Sequence, residues 1–181
     1  MRVGAHSVRV QEVGLHISGC PLQRGRQMTI SSALYSNRTD EWPTPQSLFN
    51  ELNAEFKFTL DPCASANNAK CREFFTKVDD GLKQDWSNPR VFCNPPYGKT
   101  MREWARKCYE ASQLGALVVL LAHSRTDTRW FHDWVYGKAH EIRFVRGRLK
   151  FGDGRQSAPF PSMVAVFLPR SERRRAGSLY A

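Results

Sequence analysis

Apolar positions along the chain change their period several times, and each change predicts an element. Leu48, Phe49, Leu52 and Phe56 recur at helical spacing behind Thr44 and Pro45. This predicts a helix of about three turns, with Thr44 as N-cap and Pro45 in the first helical position. Phe56, Phe58 and Leu60 then alternate with Lys57 and Thr59 and run into Asp61-Pro62, the pattern of a strand ending on an acid. Glu73 to Thr76 predicts a second short strand, Val78 to Trp86 a glycine turn with a third, and Arg90 to Cys93 a strand stopped by Asn94. Met101, Trp104, Ala105, Cys108 and Ala111 share one helical face. Ala116 to Ala122 is apolar without interruption, as in a strand covered on both faces. Trp130, Phe131 and Trp134 predict another amphipathic helix, Glu141 to Val145 and Met163 to Leu168 two more strands, and Arg146 to Phe151 a small hairpin.

Strands alternating with helices imply an α/β protein with an open, mostly parallel sheet and helices on both faces. Ligands of such sheets sit beyond the carboxyl ends of the strands. Asp61, Asn94 and His123 each close a predicted strand at that end.

Residues 1–38 carry no sustained period and mix Gly, Ser, Arg and His. They are expected to be a poorly structured leader, with Met28 as an alternative start. The organised domain is expected over residues 39–169, and residues 170–181 as a basic, flexible tail. A length of 181 residues with 41% hydrophobic content suffices for one cored domain.

The formal net charge of +10, from 27 basic and 17 acidic residues, points towards a polyanionic partner. The two ends dilute that inference. Residues 1–27 hold four arginines against Glu12, and residues 170–181 four against Glu172. A basic surface must therefore be local. Lys138 to Arg155 has six basic and two acidic residues with Phe144 and Phe151 interleaved, which makes it the best backbone-binding candidate. The alternative for this segment is an ordinary solvated hairpin. The five cysteines are odd in number and lack zinc-ligand spacing, so reduced thiols and no bound metal are expected. No apolar run approaches the roughly 18 residues that cross a bilayer, and no secretory signal is evident. A cytoplasmic protein without membrane association is expected, its oligomeric state left open.

The most informative stretch is Arg90 to Lys99, RVFCNPPYGK. Pro95 and Pro96 fix φ and carry no N–H, and Asn94, preceding proline, is biased to an extended conformation. Such a turn presents an amide oxygen and a backbone carbonyl as two fixed acceptors, with the Tyr97 ring beside them. Two acceptors and a flat ring fit an amino group on a planar base. An exocyclic amine such as adenine N6 is a poor nucleophile, because its lone pair is delocalised into the ring. Acceptors that hold its hydrogens out of the ring plane free that pair, and they bind the charge developing in the transition state better than the ground state. A base inside a duplex must first be flipped out, and aromatic stacking compensates for about 1–3 kcal/mol. The same turn could also be only an exposed polyproline segment.

Asn94-Pro95-Pro96-Tyr97 resembles the catalytic tetrad of amino-group methyltransferases. With the blocks DEWPTPQSLFNEL, FTLDPCAS, NAKC, FFTKVDDGLKQDW, FCNPPYG, SRTDTRWFHD, RGRLKF and APFPSM, residues 40–168 resemble the phage-type DNA N6-adenine methyltransferases. The resemblance implies a Rossmann-like class I methyltransferase fold, S-adenosylmethionine as cofactor and double-stranded DNA as partner. It implies that Asn94 and Pro95 hold the amine, with Pro96 completing the turn, and that Tyr97 stacks on the base. It places Asp61 near the methionine moiety, Pro62 and Ala64 in the turn, and Thr44 and Pro45 at the methionine end. Asp79, Asp80 and Leu82 are the candidates for the adenosine side. One departure is Asp61-Pro62-Cys63-Ala64-Ser65, which stands where a glycine-rich turn is usual.

Arg125, Arg146, Arg148 and Lys150 are the DNA-binding candidates. His123, Ser124, Arg125 and Asp127 lie on one loop without evidence of triad geometry. Trp104, Trp130 and Trp134 are expected to pack in the core, and Cys93 to be buried rather than nucleophilic. Two other functions remain open at this point: methylation of an RNA base or a glutamine amide, and non-catalytic DNA binding on a degenerate methyltransferase fold.

Overall fold

In the computed structural model, which describes residues 41–87, 89–152 and 157–172, helix α1 spans Gln46–Phe56. The predicted leader, the Met28 start and most of the basic tail lie outside these residues. Pro45, not Thr44, is the N-cap of α1, and no side chain caps the helix. The Thr44 hydroxyl is engaged elsewhere, by Asn94. Phe56 is the last helical residue rather than the start of a strand. Lys57 turns out of the helix with φ 54°, and the Asn53 side chain accepts the Phe58 N–H.

Strand β1 is therefore only Leu60–Asp61. It is followed by β2 (Glu73–Phe74), β3 (Arg90–Cys93), helix α2 (Met101–Gln113), β4 (Leu117–His123), helix α3 (Arg129–Trp134), β5 (Glu141–Phe144) and β6 (Ser162–Phe167). Two expected elements are absent. Residues 78–86 form turns, not a strand, because the Asp79 carboxylate accepts the Thr76 N–H and hydroxyl and Asp80 takes a positive φ. Residues 146–151 bend without strand pairing, anchored instead through the Ala158 N–H on the Leu149 carbonyl.

The strands form one sheet in the order β2-β1-β3-β4-β6-β5. The pairs β1 with β2, β1 with β3 and β3 with β4 are parallel, whereas β6 runs antiparallel to β4 and to β5. The sheet is thus mixed, with a single reversed strand. Its two faces are read directly from the strand period of two. Val118, Leu120 and Ala122 of β4 pack with Trp104, Cys108 and Phe131 of α2 and α3. The intervening Leu117, Val119 and Leu121 pack with Phe49, Leu52 and Phe56 of α1. Helices cover both faces, and each fully buried aliphatic or aromatic side chain contributes about 1.5–3 kcal/mol. This double cover holds the carboxyl ends of β1, β3 and β4 in fixed relation.

Candidate active site

The register Leu60 with Val91 sets Asp61 and Asn94 at neighbouring strand ends, and the Cys63 and Cys93 sulfurs, 3.9 Å apart, join the two turns. Asn94 is held by two acceptors. Its Nδ2 donates to the Trp42 carbonyl at 2.6 Å and to Thr44 Oγ1 at 2.9 Å. A carbonyl oxygen can only accept, so the amide nitrogen must face Trp42 and the Oδ1 must face away. That Oδ1 is buried and has no hydrogen-bond partner among the described residues. A buried acceptor left unpaired costs about 1–3 kcal/mol, a cost that a hydrogen-bond donor bound at this strand end would offset.

Pro95 is buried and Pro96 half-buried. The turn closes through the Gly98 N–H on the Pro96 carbonyl at 3.0 Å. The Tyr97 hydroxyl donates to the Leu121 carbonyl at 3.3 Å. Its ring lies 5.1 Å from His123, 5.4 Å from Phe160 and 6.3 Å from Phe151, while Trp42 packs edge-on against both phenylalanines. Burial pushes the phenol well above its ordinary pKa and lowers that of His123 to about 4, so both rings are neutral at pH 7. The Nδ1 of His123 and the hydroxyls of Ser124 and Ser162 are further buried polar atoms at this end of β4 without partners among the described residues.

A cleft of about 940 Å³ opens beside Asn94, at the upper end of the roughly 300–1,000 Å³ usual for small-molecule sites. Thr44, Asp61, Pro62, Ala64, Asp80, Leu82, Asn94, Pro95 and Pro96 all line it. Pro45, Asp79 and Tyr97 do not. A more open depression of about 730 Å³ lies against β2, but it shares no lining residue with the Asn94 cleft.

Asp61 is only 5% exposed. Its two carboxylate oxygens accept the backbone N–H groups of Lys70 at 3.1 Å and Cys63 at 3.4 Å. Desolvation raises its pKa against these two bonds. Asp61 thus folds the turn that walls the cleft. The Asp79 carboxylate caps its own turn through Thr76, and Asp80 pairs with Lys83 at 2.9 Å.

Several cleft residues were not legible in the sequence. Gly81 is one: a Cβ there would lie 2.0 Å from the Pro62 carbonyl oxygen, so the Thr76 to Leu82 wall touches the Asp61 turn backbone to backbone. Only a residue without a Cβ permits this approach of the two loops. Trp104, expected only in the core, also borders the cleft, as do Trp42, Lys70 and Lys99. Trp42 could have been suspected from its place before Thr44-Pro45.

Of the basic candidates, Arg125 is exposed and paired bidentately with Asp127 at 3.0 and 3.1 Å. Arg146, Arg148 and Lys150 are exposed on the segment that leads into Phe151. Among the described residues no group of three or more His, Cys, Asp or Glu is placed to hold a metal. No described helix is long and apolar enough to cross a membrane.

Strand ends carrying a fixed amide beside a ligand-sized cleft are where an open α/β sheet binds its ligand, and comparison with known proteins gives the activity. Residues 31–175 match the family model for DNA N-6-adenine-methyltransferase (Dam), and the chain belongs to that family of DNA adenine methyltransferases. It is 30% identical over 152 residues to the DNA N-6-adenine-methyltransferase of Haemophilus phage HP1 (strain HP1c1), covering 80% of this chain and 87% of the phage protein. A provisionally named methyltransferase of Escherichia coli (strain K12), YfdM, is 38% identical over 65 residues, covering 32% of this chain and 71% of that protein. Family membership implies a methyl donor and DNA as the substrate.

Proposed function

We propose that this protein, encoded by a phage or prophage, transfers a methyl group from S-adenosylmethionine to N6 of an adenine flipped out of double-stranded DNA. Residues 39–169 form the catalytic domain, a Rossmann-like class I methyltransferase. The observation that carries the reading is the Asn94 amide, oriented by the Trp42 carbonyl so that its Oδ1 is a buried acceptor without a partner among the described residues. The single reversed strand between two of the opposite direction supports the fold assignment. Similarity to the protein of phage HP1 supports the origin.

The cleft fits the proposed cofactor in size and lining. Its lining combines the apolar surfaces of Pro62, Leu82 and Trp104 with Asp80 and Lys70, paired to Lys83 and Gln46, and with Asp61, whose carboxylate is held by its own turn, a mixture that suits a molecule with charged and flat parts. When bound, the cofactor supplies a methyl group on a positively charged sulfur. Thr44, Asp61, Pro62, Ala64, Asp80 and Leu82 line its site, with Pro45 and Asp79 acting from behind the lining.

The chain's own part is to bind and orient the amine. Asn94 Oδ1 and the Pro95 carbonyl each accept one amine hydrogen, drawing the nitrogen out of conjugation and stabilising the positive charge that builds on it. No strong base is required before attack. Pro96 holds the turn rigid, and Tyr97 stacks on the base after leaving part of its contact with Phe151 and Phe160. Arg146, Arg148 and Lys150 contact the DNA backbone next to this aromatic cluster, and Arg125 does so by exchanging Asp127 for phosphate. Incubating duplex DNA with cofactor carrying a labelled methyl group, then digesting to nucleosides, tests the proposal. Label in N6-methyladenine is expected, and label confined to cytosine, RNA or protein refutes it.

A further inference from the structure

We infer that Trp86 is a positioning residue for the methyl donor, holding one wall of its cleft in place through a buried indole N–H. The inference rests on the function proposed above, in which that cleft receives the donor. Trp86 is 1% exposed and does not line the cleft. Its Nε1 donates to the Gly81 carbonyl at 2.9 Å. An indole N–H can only donate and a carbonyl can only accept, so this bond has a single sense. It fixes the plane of the peptide between Gly81 and Leu82, and Asp80, Gly81 and Leu82 all line the cleft.

The wall is thereby pinned through two contacts. Gly81 abuts the Pro62 carbonyl so closely that a Cβ would not fit. Its own carbonyl is held by Trp86, whose ring is in turn held by two side chains of α2. The ring stacks on Trp104 at 6.0 Å and 29°, and the Lys107 ammonium lies 5.4 Å from its centre while donating to the Gln84 carbonyl at 2.7 Å. Trp104 lines the cleft as well. Other bonds of the loop are local. Thr76 with Asp79, Gln84 with Asp79 and Lys83 with Asp80 close residues 76–84 on themselves at the exposed surface. Those bonds shape the loop, whereas Trp86 ties it to α2, whose first N–H, of Met101, bonds the Gly98 carbonyl beside Tyr97. One buried side chain therefore sets the donor's wall against the helix that follows the Asn94 to Tyr97 turn. A wall set before binding spares the donor the cost of ordering it.

The test exchanges Trp86 alone for benzothienylalanine, which keeps the bicyclic shape and replaces the N–H by sulfur, and compares this protein with Trp86→Phe. Donor affinity by calorimetry, kcat at saturating donor and thermal melting are measured on each full-length variant. Loss of the N–H is expected to weaken donor binding roughly five- to tenfold, with kcat unchanged within about twofold. Trp86→Phe should lose at least as much affinity, and where it melts early the benzothienylalanine protein decides, because its packing is preserved. Added to Gly81→Ala, whose loop is already displaced, the exchange should cost less than it does alone, the non-additivity of two groups acting on one wall. A benzothienylalanine protein that binds the donor as wild type does overturns the inference, and so does a fall in kcat with donor affinity unchanged. A wild-type protein without measurable affinity for S-adenosylmethionine would instead refute the function proposed for the cleft, so the two failures are distinct.

Discussion

Replacing Gly81 by alanine perturbs the cleft at one defined contact. The new methyl would lie 2.0 Å from the Pro62 carbonyl oxygen, 3.0 Å from the carbonyl carbon and 3.3 Å from Cη2 of Trp104. Ordinary contact begins near 3.4 Å, so the two loops must separate by about 1.4 Å, and neither obstructing atom of Pro62 can rotate away. Overpacking of this kind costs about 1–3 kcal/mol. Gly81 is not in the left-handed region, so alanine adds no backbone strain and recovers about 0.4–1 kcal/mol by restricting the unfolded chain. A net loss of roughly 1–2 kcal/mol is expected in denaturant unfolding. The larger effect is expected on donor binding, because both displaced loops wall the cleft proposed for the donor. A shift of about 1 Å can cost up to roughly a hundredfold in a positioned site, so calorimetry should find donor affinity at least tenfold weaker. A Gly81→Ala protein that binds the donor as wild type does, with unchanged stability, would refute the close-approach reasoning.

Two further perturbations act on other parts of the site. Burial holds the folded His123 pKa to about 4 against an ordinary 6.5. Between those values the unfolded chain takes up a proton that the folded chain refuses, and stability falls as the pH drops. Discounted for the solvent that still reaches the ring, the loss is about 2 kcal/mol. His123→Gln should flatten the melting profile between pH 7 and pH 4, and an unaltered profile would show that His123 does not drive it. Replacing Arg146, Arg148 and Lys150 together by alanine should weaken DNA binding and lower the slope of log affinity against log salt by about 2.7, some 0.9 per phosphate contact. Donor affinity should not change. An unaltered salt slope would place the DNA elsewhere.

How much the sequence revealed depended on whether an element's pattern was local. The uninterrupted apolar run of β4 and the helical face of α2 recur in the structure with small shifts at their ends, since burial on both sheet faces requires that composition. Asn94 could be placed at a strand end for the same reason. What failed was local pattern overridden by tertiary partners. Thr44 carries an N-cap signal, yet its oxygen bonds Asn94 across 50 positions of chain. Phe56 fits a strand alternation, yet packs as the last residue of a helix whose exit needs the positive φ of Lys57. Gly81 reads as an ordinary turn glycine, because nothing in its own neighbourhood announces that Pro62 will approach it. Asp61 and Asp79 were nominated as carboxylates near a ligand, and backbone N–H groups that no sequence pattern displays claim their oxygens.

The central claim is that the Asn94 amide oxygen activates the amine at the end of β3 without building the donor site. Single-turnover methylation by Asn94→Ala, with donor affinity measured on the same preparation, tests it most directly. The expected result is a chemical step slowed by roughly a hundredfold or more with donor affinity retained. Loss of donor binding in parallel with the rate would make Asn94 a structural residue of the cleft, and a rate near wild type would contradict the claim outright.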